Sequence, residues 1–169
     1  MVKMKIKPIV IPDNVKISVS GNKIIVEGPK GKVEKEIKGR KVKIEIENRN
    51  VNVESEHKEM INTVRAIIAN MIKGVTEGYE KRLVVRYSHF PVKLSYKNGF
   101  LIIENFLGEK VPRKAKVPKN VNVKIGNNEI ILESVDKEAI GQAYANIRAA
   151  SKIKEKDIRV FQDGIYLAD

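Results

Sequence analysis

The chain has 169 residues, 42% of them apolar and 32% charged, with a net charge of +12 and no cysteine. That length holds one full-sized hydrophobic core or two small ones, and no apolar run nears the roughly 20 residues needed to span a bilayer. Without thiols, disulfides, thiolate metal sites and cysteine catalysis are excluded.

From the N-terminus, "MVKMKIKPIVIPD" carries lysines, but its apolar segment, residues 9–11, stops at Pro12 and is too short for a signal-peptide core. A cytosolic location is expected. "VKISVSGNKIIVEG" alternates apolar and polar residues on both sides of Gly21-Asn22, which predicts a β-hairpin. "GPKGKV" turns the chain again, with proline fixing φ and glycine supplying positive φ. A second alternating pair is centred on residues 48–50, and then Ile61, Val64, Ile68 and Met71 fall at helical spacing. Ser55 is the expected N-cap of that helix and Gly74 its stop, after which "YEKRLVVR" returns as a strand. The plan then recurs. Strands are expected in "VKLSYKN", "FLIIENF", around residues 120–123 and in "EIILES", before a helix from Asp136 that turns Ile140, Ala143 and Ile147 inward.

The recurrence is also visible in identities. "VKISVSGNKIIVEGPKG" (15–31) matches "VKLSYKNGFLIIENFLG" (92–108) at six of seventeen positions, and "ESEHKEMINTVRAII" (54–68) matches "ESVDKEAIGQAYANI" (133–147) at seven of fifteen. Order is kept across both blocks, so the chain reads as two copies of one unit, residues 1–86 and 87–169. Two copies are too few for a solenoid. The predicted class is α+β: two tandem homologous units, each an antiparallel sheet with one helix packed on one face.

Catalytic chemistry needs clustered acids, bases or nucleophiles, and none is legible. There is no HExxH, GxSxG or Walker-type loop, and the carboxylates mostly alternate with lysines. His57, at a polar helix start, reads as solvated. His89, in "YSHFP" at the seam between the copies, reads as packed against the interface between them rather than as a ligand. No catalytic residue, metal ligand, cofactor or small-molecule substrate is therefore assigned.

Charge is more informative. The 33 Lys and Arg against 21 Asp and Glu produce a positive field that attracts polyanions, and nucleic acid is the default partner. Heat-stable proteins also carry Lys and Glu in excess, which accounts for charges of both signs but not for their imbalance. "GEKVPRKAKVPKN" places Arg113, Lys114 and Lys116 between Pro112 and Pro118 and reads as a projecting basic loop. "SKIKEKDIRVFQDGIY" interleaves Lys152, Lys154, Lys156 and Arg159 with Phe161 and Tyr166, a mixture suited to folded RNA. Asp163-Gly164 would allow a turn that lays Phe161 and Tyr166 back on the sheet with the cations outward.

"VEGPKGKV", "GVTEGYEKRL", "YSHFP" and above all "RVFQDGIY" together resemble the sixth large-subunit ribosomal protein family, in its archaeal and eukaryotic branch, over nearly the whole chain. The resemblance implies a structural, non-enzymatic constituent of the large ribosomal subunit in the cytoplasm. It also implies that the second unit sits on large-subunit rRNA near the sarcin-ricin loop and stalk base, beside the ribosomal proteins there. Carried onto this sequence, the RNA contacts are Arg113, Lys114, Lys116, Lys152, Lys154, Lys156, Arg159 and Tyr166. Against that assignment, the first 86 residues hold a net charge of +8 and the remainder only +4. The alternative is a basic scaffold for acidic protein partners outside the ribosome, which would set its cations beside an exposed apolar patch.

Overall fold

The alternation read around Gly21-Asn22 folds as expected in the computed structural model, which describes residues 6–38, 42–87 and 89–168. Strands β1 (Ile9–Val10), β2 (Lys16–Ser20), β3 (Lys23–Gly28), β4 (Gly31–Glu36), β5 (Val42–Glu47) and β6 (Asn50–Ser55) precede helix α1 (Lys58–Thr76). The β2–β3 turn holds Gly21 at φ +59°, and the β5–β6 turn holds Asn48 and Arg49 at φ 42° and 67°. Such positive values let a two-residue turn match the twist of its strands. The strands form two antiparallel sheets, ordered β2-β3-β4 and β1-β6-β5, where a single sheet was expected. One face of α1 packs on β3, β4 and β6. Ile61, Val64 and Ile68 are fully buried there with Ile24 and Val26, as the helical spacing predicted.

In the second unit, β7 (Tyr79–Arg86), β8 (Lys93–Lys97), β9 (Phe100–Glu104), a 3-10 turn (Phe106–Gly108), β10 (Arg113–Lys116), β11 (Asn122–Ile125) and β12 (Glu129–Ser134) lead to α2 (Lys137–Ala150) and a terminal strand β13 (Gly164–Leu167). Their sheets are ordered β10-β9-β8 and β11-β12-β7-β13. The α2 residues Ile140, Ala143 and Ile147 join Leu83, Leu101, Ile103, Ile130, Leu132 and Ile165 in one core. Each of the leucine and isoleucine side chains contributes roughly 1.5–3 kcal/mol by leaving water.

Register shows the duplication directly and moves the boundary. Ile9 of β1 pairs with Val51 of β6, and Leu83 of β7 pairs with Ile130 of β12. Val51 and Ile130 are equivalent in the alignment of the copies, so β7 opens the second copy and does not close the first. The units are accordingly Met1–Gly78 and Tyr79–Asp169, eight residues earlier than the expected join. Re-cut there, the charge asymmetry vanishes: 16 Lys and Arg face 10 Asp and Glu in the first unit, and 17 face 11 in the second, +6 each.

Both helix starts use a buried serine. Ser134 Oγ accepts from the backbone N–H of Asp136 at 3.1 Å and donates to the carbonyl of Asn120 at 2.8 Å, and Ser55 Oγ accepts from the N–H of His57 at 3.3 Å. Ser55 is thus not the N-cap; that position belongs to His57, which lacks a side-chain cap bond, whereas Asp136 caps α2 through the N–H of Glu138. Nor does α1 stop at Gly74, which is buried inside its last turn. Glycine in a helix interior costs roughly 1 kcal/mol, too little to end a well-packed helix.

Candidate nucleic-acid interface

The basic stretch after the 3-10 turn is a strand, not a loop. Pro112 and Pro118 lie just outside β10, whose residues Arg113, Lys114, Ala115 and Lys116 pair with Ile103, Ile102, Leu101 and Phe100. Proline is excluded from a paired ladder position but tolerated beside one. Strand alternation then separates the basic residues: Lys114 and Lys116 are exposed, while Arg113 lies with buried Ala115 on the other face. Because β10 is an edge strand, the two lysines also do the work usual for charged residues there, discouraging edge-to-edge pairing.

Arg113 is committed within the protein. Its Nε and Nη2 donate to Glu109 at 2.8 and 2.5 Å, and its Nη1 donates to the carbonyls of Ala150 and Lys152 at 3.0 and 2.6 Å. The guanidinium also lies 4.5 Å from the Phe106 ring centroid, and only 14% of the side chain is exposed. Arg113 therefore ties the edge strand to the start of the basic tail. The hydrogen-bonding Arg113, followed by the more distant charges of Lys154 and Lys156, holds the Glu109 carboxyl below its ordinary value.

Along the tail, Lys152, Lys154, Lys156 and Arg159 are all exposed. Arg159 pairs with Asp157 at 3.0 Å, and that hydrogen bond lowers the Asp157 pKa and raises the Arg159 pKa. Lys156 Nζ sits 4.9 Å from the centroid of Phe161, which is half-buried against the core. Asp163 is not at an exposed turn. Its side chain is 1% exposed and meets His89 Nδ1 at 3.2 Å, and β13 begins at the next residue. His89 stacks obliquely on Phe161 at 4.6 Å and belongs to the second unit's own packing. His57 is exposed, as expected.

Tyr166 is half-buried, and its hydroxyl donates to the carbonyl of Gln162 at 2.8 Å. Its ring lies beside two cations that sequence reading passed over: the guanidinium carbons of Arg148 and Arg86 are 4.7 and 5.9 Å from its centroid. Neither arginine lies in a basic run. Only the pairing of β7 with β13, and the seating of α2 behind them, brings them to the tyrosine. Arg148, Lys152, Phe161 and Tyr166 line one open groove of about 410 Å³.

The "VEGPKGKV" turn is engaged in packing. The N–H of Lys30 donates to the carbonyl of Val75 at 2.8 Å, and a Cβ at Gly28 would lie 2.8 Å from Val75 Cγ2 and from that same oxygen. Lys32 is exposed between Glu27 and Glu34, at 3.5 and 3.3 Å, and hydrogen bonding to Glu34 raises its pKa. Among the described residues no group of three or more His, Asp or Glu could hold a metal ion, and no helix is long and apolar enough to cross a membrane.

Fold and surface define a duplicated α+β protein whose later copy gathers exposed cations along an edge strand and a tail, a form suited to polyanions. The chain belongs to the ribosomal protein L6 family, whose model matches residues 11–78 and 92–164, one stretch in each copy. It is 41% identical over 174 residues to the large ribosomal subunit protein uL6 of Methanothrix thermoacetophila, across 100% of this chain and 99% of that protein. It is 45% identical over 164 residues to uL6 of Methanococcus vannielii (94% of this chain, 90% of that protein). With uL6 of Staphylothermus marinus it shares 42% over 168 residues (94% and 91%).

Proposed function

We propose that this chain is a structural constituent of the large ribosomal subunit, in the cytoplasm, and that its second unit braces large-subunit rRNA near the factor-docking region, at the sarcin-ricin loop and stalk base. Family membership supports the coarser statement. That the contact lies on the second unit rests on its exposed cations: Lys114 and Lys116 on the outer face of β10, and Lys152, Lys154, Lys156 and Arg159 on the tail, Arg159 staying 87% exposed beside Asp157; the placement at the sarcin-ricin loop and stalk base is what the family resemblance implies. A double-stranded RNA presents a shallow minor groove of ribose hydroxyls and phosphates, so recognition by shape and charge suffices. Arg113 serves this surface by holding the tail, through the carbonyls of Ala150 and Lys152. Tyr166 serves it as a support for arginines.

Replacing Lys154, Lys156 and Arg159 together by alanine should weaken binding of the full chain to large-subunit rRNA, with circular dichroism unchanged. Each lost phosphate contact should lower the slope of log K against log salt by about 0.7–0.9. Equal affinity and slope would refute the tail assignment. One observation favours a protein partner as well: Val111, Ile158 and Val160 are 77%, 70% and 61% exposed, in the same two segments as the cations. Neighbouring proteins of the stalk base are the natural partners for these. Tight capture of acidic proteins by the chain, with no affinity for rRNA, would favour the scaffold reading.

A further inference from the structure

We propose that Arg86 and Arg148, seated on Tyr166, form a phosphodiester-binding clamp for rRNA that adjoins the lysine-rich tail at Lys152; it rests on the rRNA-binding reading above. Its first support is which arginines are already occupied. In the second unit Arg82 pairs with Glu80, Arg113 with Glu109 and Arg159 with Asp157. Among the described residues, Arg86 and Arg148 have no carboxylate partner, and both are exposed. A phosphate reaching them displaces no internal acid. Two guanidiniums gathered at one ring also repel each other, and an anion between or beside them relieves that repulsion.

The second support is that the platform is built. Arg86 is register partner to Gly164, and Tyr166 stands two residues further along β13 on the same face. With no side chain at Gly164, the tyrosine ring lies back over that position; a Cβ there would be 3.3 Å from Cε2 and 3.4 Å from the hydroxyl oxygen. The hydroxyl then bonds to the Gln162 carbonyl, which locks the ring. Arg148, from the last turn of α2, donates Nη1 to the carbonyl of Ile165 at 3.1 Å. A guanidinium held near a fixed ring has less rotamer freedom left to lose on binding, and the donors of Arg148 other than Nη1 are left for a ligand.

The third support is access. Tyr166 lines two open grooves, one of about 480 Å³ holding Arg86 and one of about 410 Å³ holding Arg148. The buried acid that reaches both grooves, Asp163, is turned to His89. Each groove therefore offers a cation beside the same aromatic ring, an open arrangement that suits successive phosphates of an RNA strand and does not enclose a small molecule.

The test measures binding of the full chain to large-subunit rRNA across a salt series. Arg86→Gln with Arg148→Gln keeps the apolar stems and should lower affinity by at least about tenfold, and the salt slope by about 1.5, the equivalent of two phosphates. Arg86→Lys with Arg148→Lys should restore the slope but not the affinity, since lysine is a point charge without the stacking plane. Tyr166→Leu should lower affinity with the slope kept, which a purely electrostatic role would not do. Wild-type affinity and slope in the double glutamine variant would overturn the clamp and leave the rRNA reading standing. Failure of the unaltered chain to bind rRNA would overturn both.

Discussion

Replacing Arg113 by alanine separates two roles for a residue that sequence alone places among the RNA contacts. Its side chain makes a fork to Glu109, two bonds to carbonyls of the α2 terminus and a stack on Phe106. Glu109 is 40% exposed, so the ion pair is screened and contributes about 0.5–1 kcal/mol. The two charge-assisted bonds to carbonyls add about 1 kcal/mol in all once exchange with water is allowed for, and the stack about 0.5–1 kcal/mol. The expected cost is therefore about 2–3 kcal/mol, read by urea unfolding of the full chain. Amide exchange should locate it: the amides of Ser151 and Lys152, which bond to the carbonyls of Ile147 and Ala149, should lose protection, whereas those of the first unit should not. Lysine at this position cannot form the fork and should recover less than half. A loss below about 0.5 kcal/mol with unchanged exchange in the tail would refute the role of Arg113 as a tie and return it to the list of direct contacts.

Two further outcomes follow from the same geometry. Because Arg113 lowers the folded-state pKa of Glu109 below 4.5, the stability it confers is complete above the unfolded value and is lost as pH falls through the folded one; Glu109→Gln should flatten that acid dependence in denaturation measured from pH 6 to pH 2.5. Gly28→Ala should destabilise the first unit by about 2–3 kcal/mol, seen by thermal denaturation, since the new Cβ meets Val75 side chain and backbone at 2.8 Å; a neutral effect would mean that the turn does not dock on α1 as described.

The elements with clean periodicity were legible in the sequence. Both helices, their inward residues and the hairpins at Gly21-Asn22 and residues 48–50 follow from alternation, helical spacing and turn chemistry. What escaped was decided by partners distant in sequence. β7 reads equally well as the last strand of one copy or the first of the next, and only its register with β12 settles it. β10 is four residues between prolines, too short to announce itself, and β13 hides behind an Asp-Gly pair that spells a turn. At the candidate interface, exposure could be guessed for the lysines because they fall in runs. Occupancy could not, since Glu109 takes up the half-buried Arg113 and Asp157 pairs with the still exposed Arg159, while Arg86 and Arg148, lying in no run, have no carboxylate partner among the described residues.

The two copies solve one problem in two ways, and the difference sets equal charge on different local structure. In each, the connection from the second strand of the hairpin sheet to its third must hold the end of the helix. The first copy does it with a tight turn, through Gly28 and the N–H of Lys30 against Val75, and its helix runs to Thr76. The second inserts the 3-10 turn, ends its helix at Ala150, five residues short of the equivalent point, and replaces turn-to-helix packing with the reach of Arg113. That exchange releases the chain after Ser151 to run as an exposed basic tail and return as β13, the strand that carries Tyr166 to Arg86 and Arg148. Each unit carries +6, but the second displays part of its charge on a chain segment beyond a shortened helix, which is where the copies diverge.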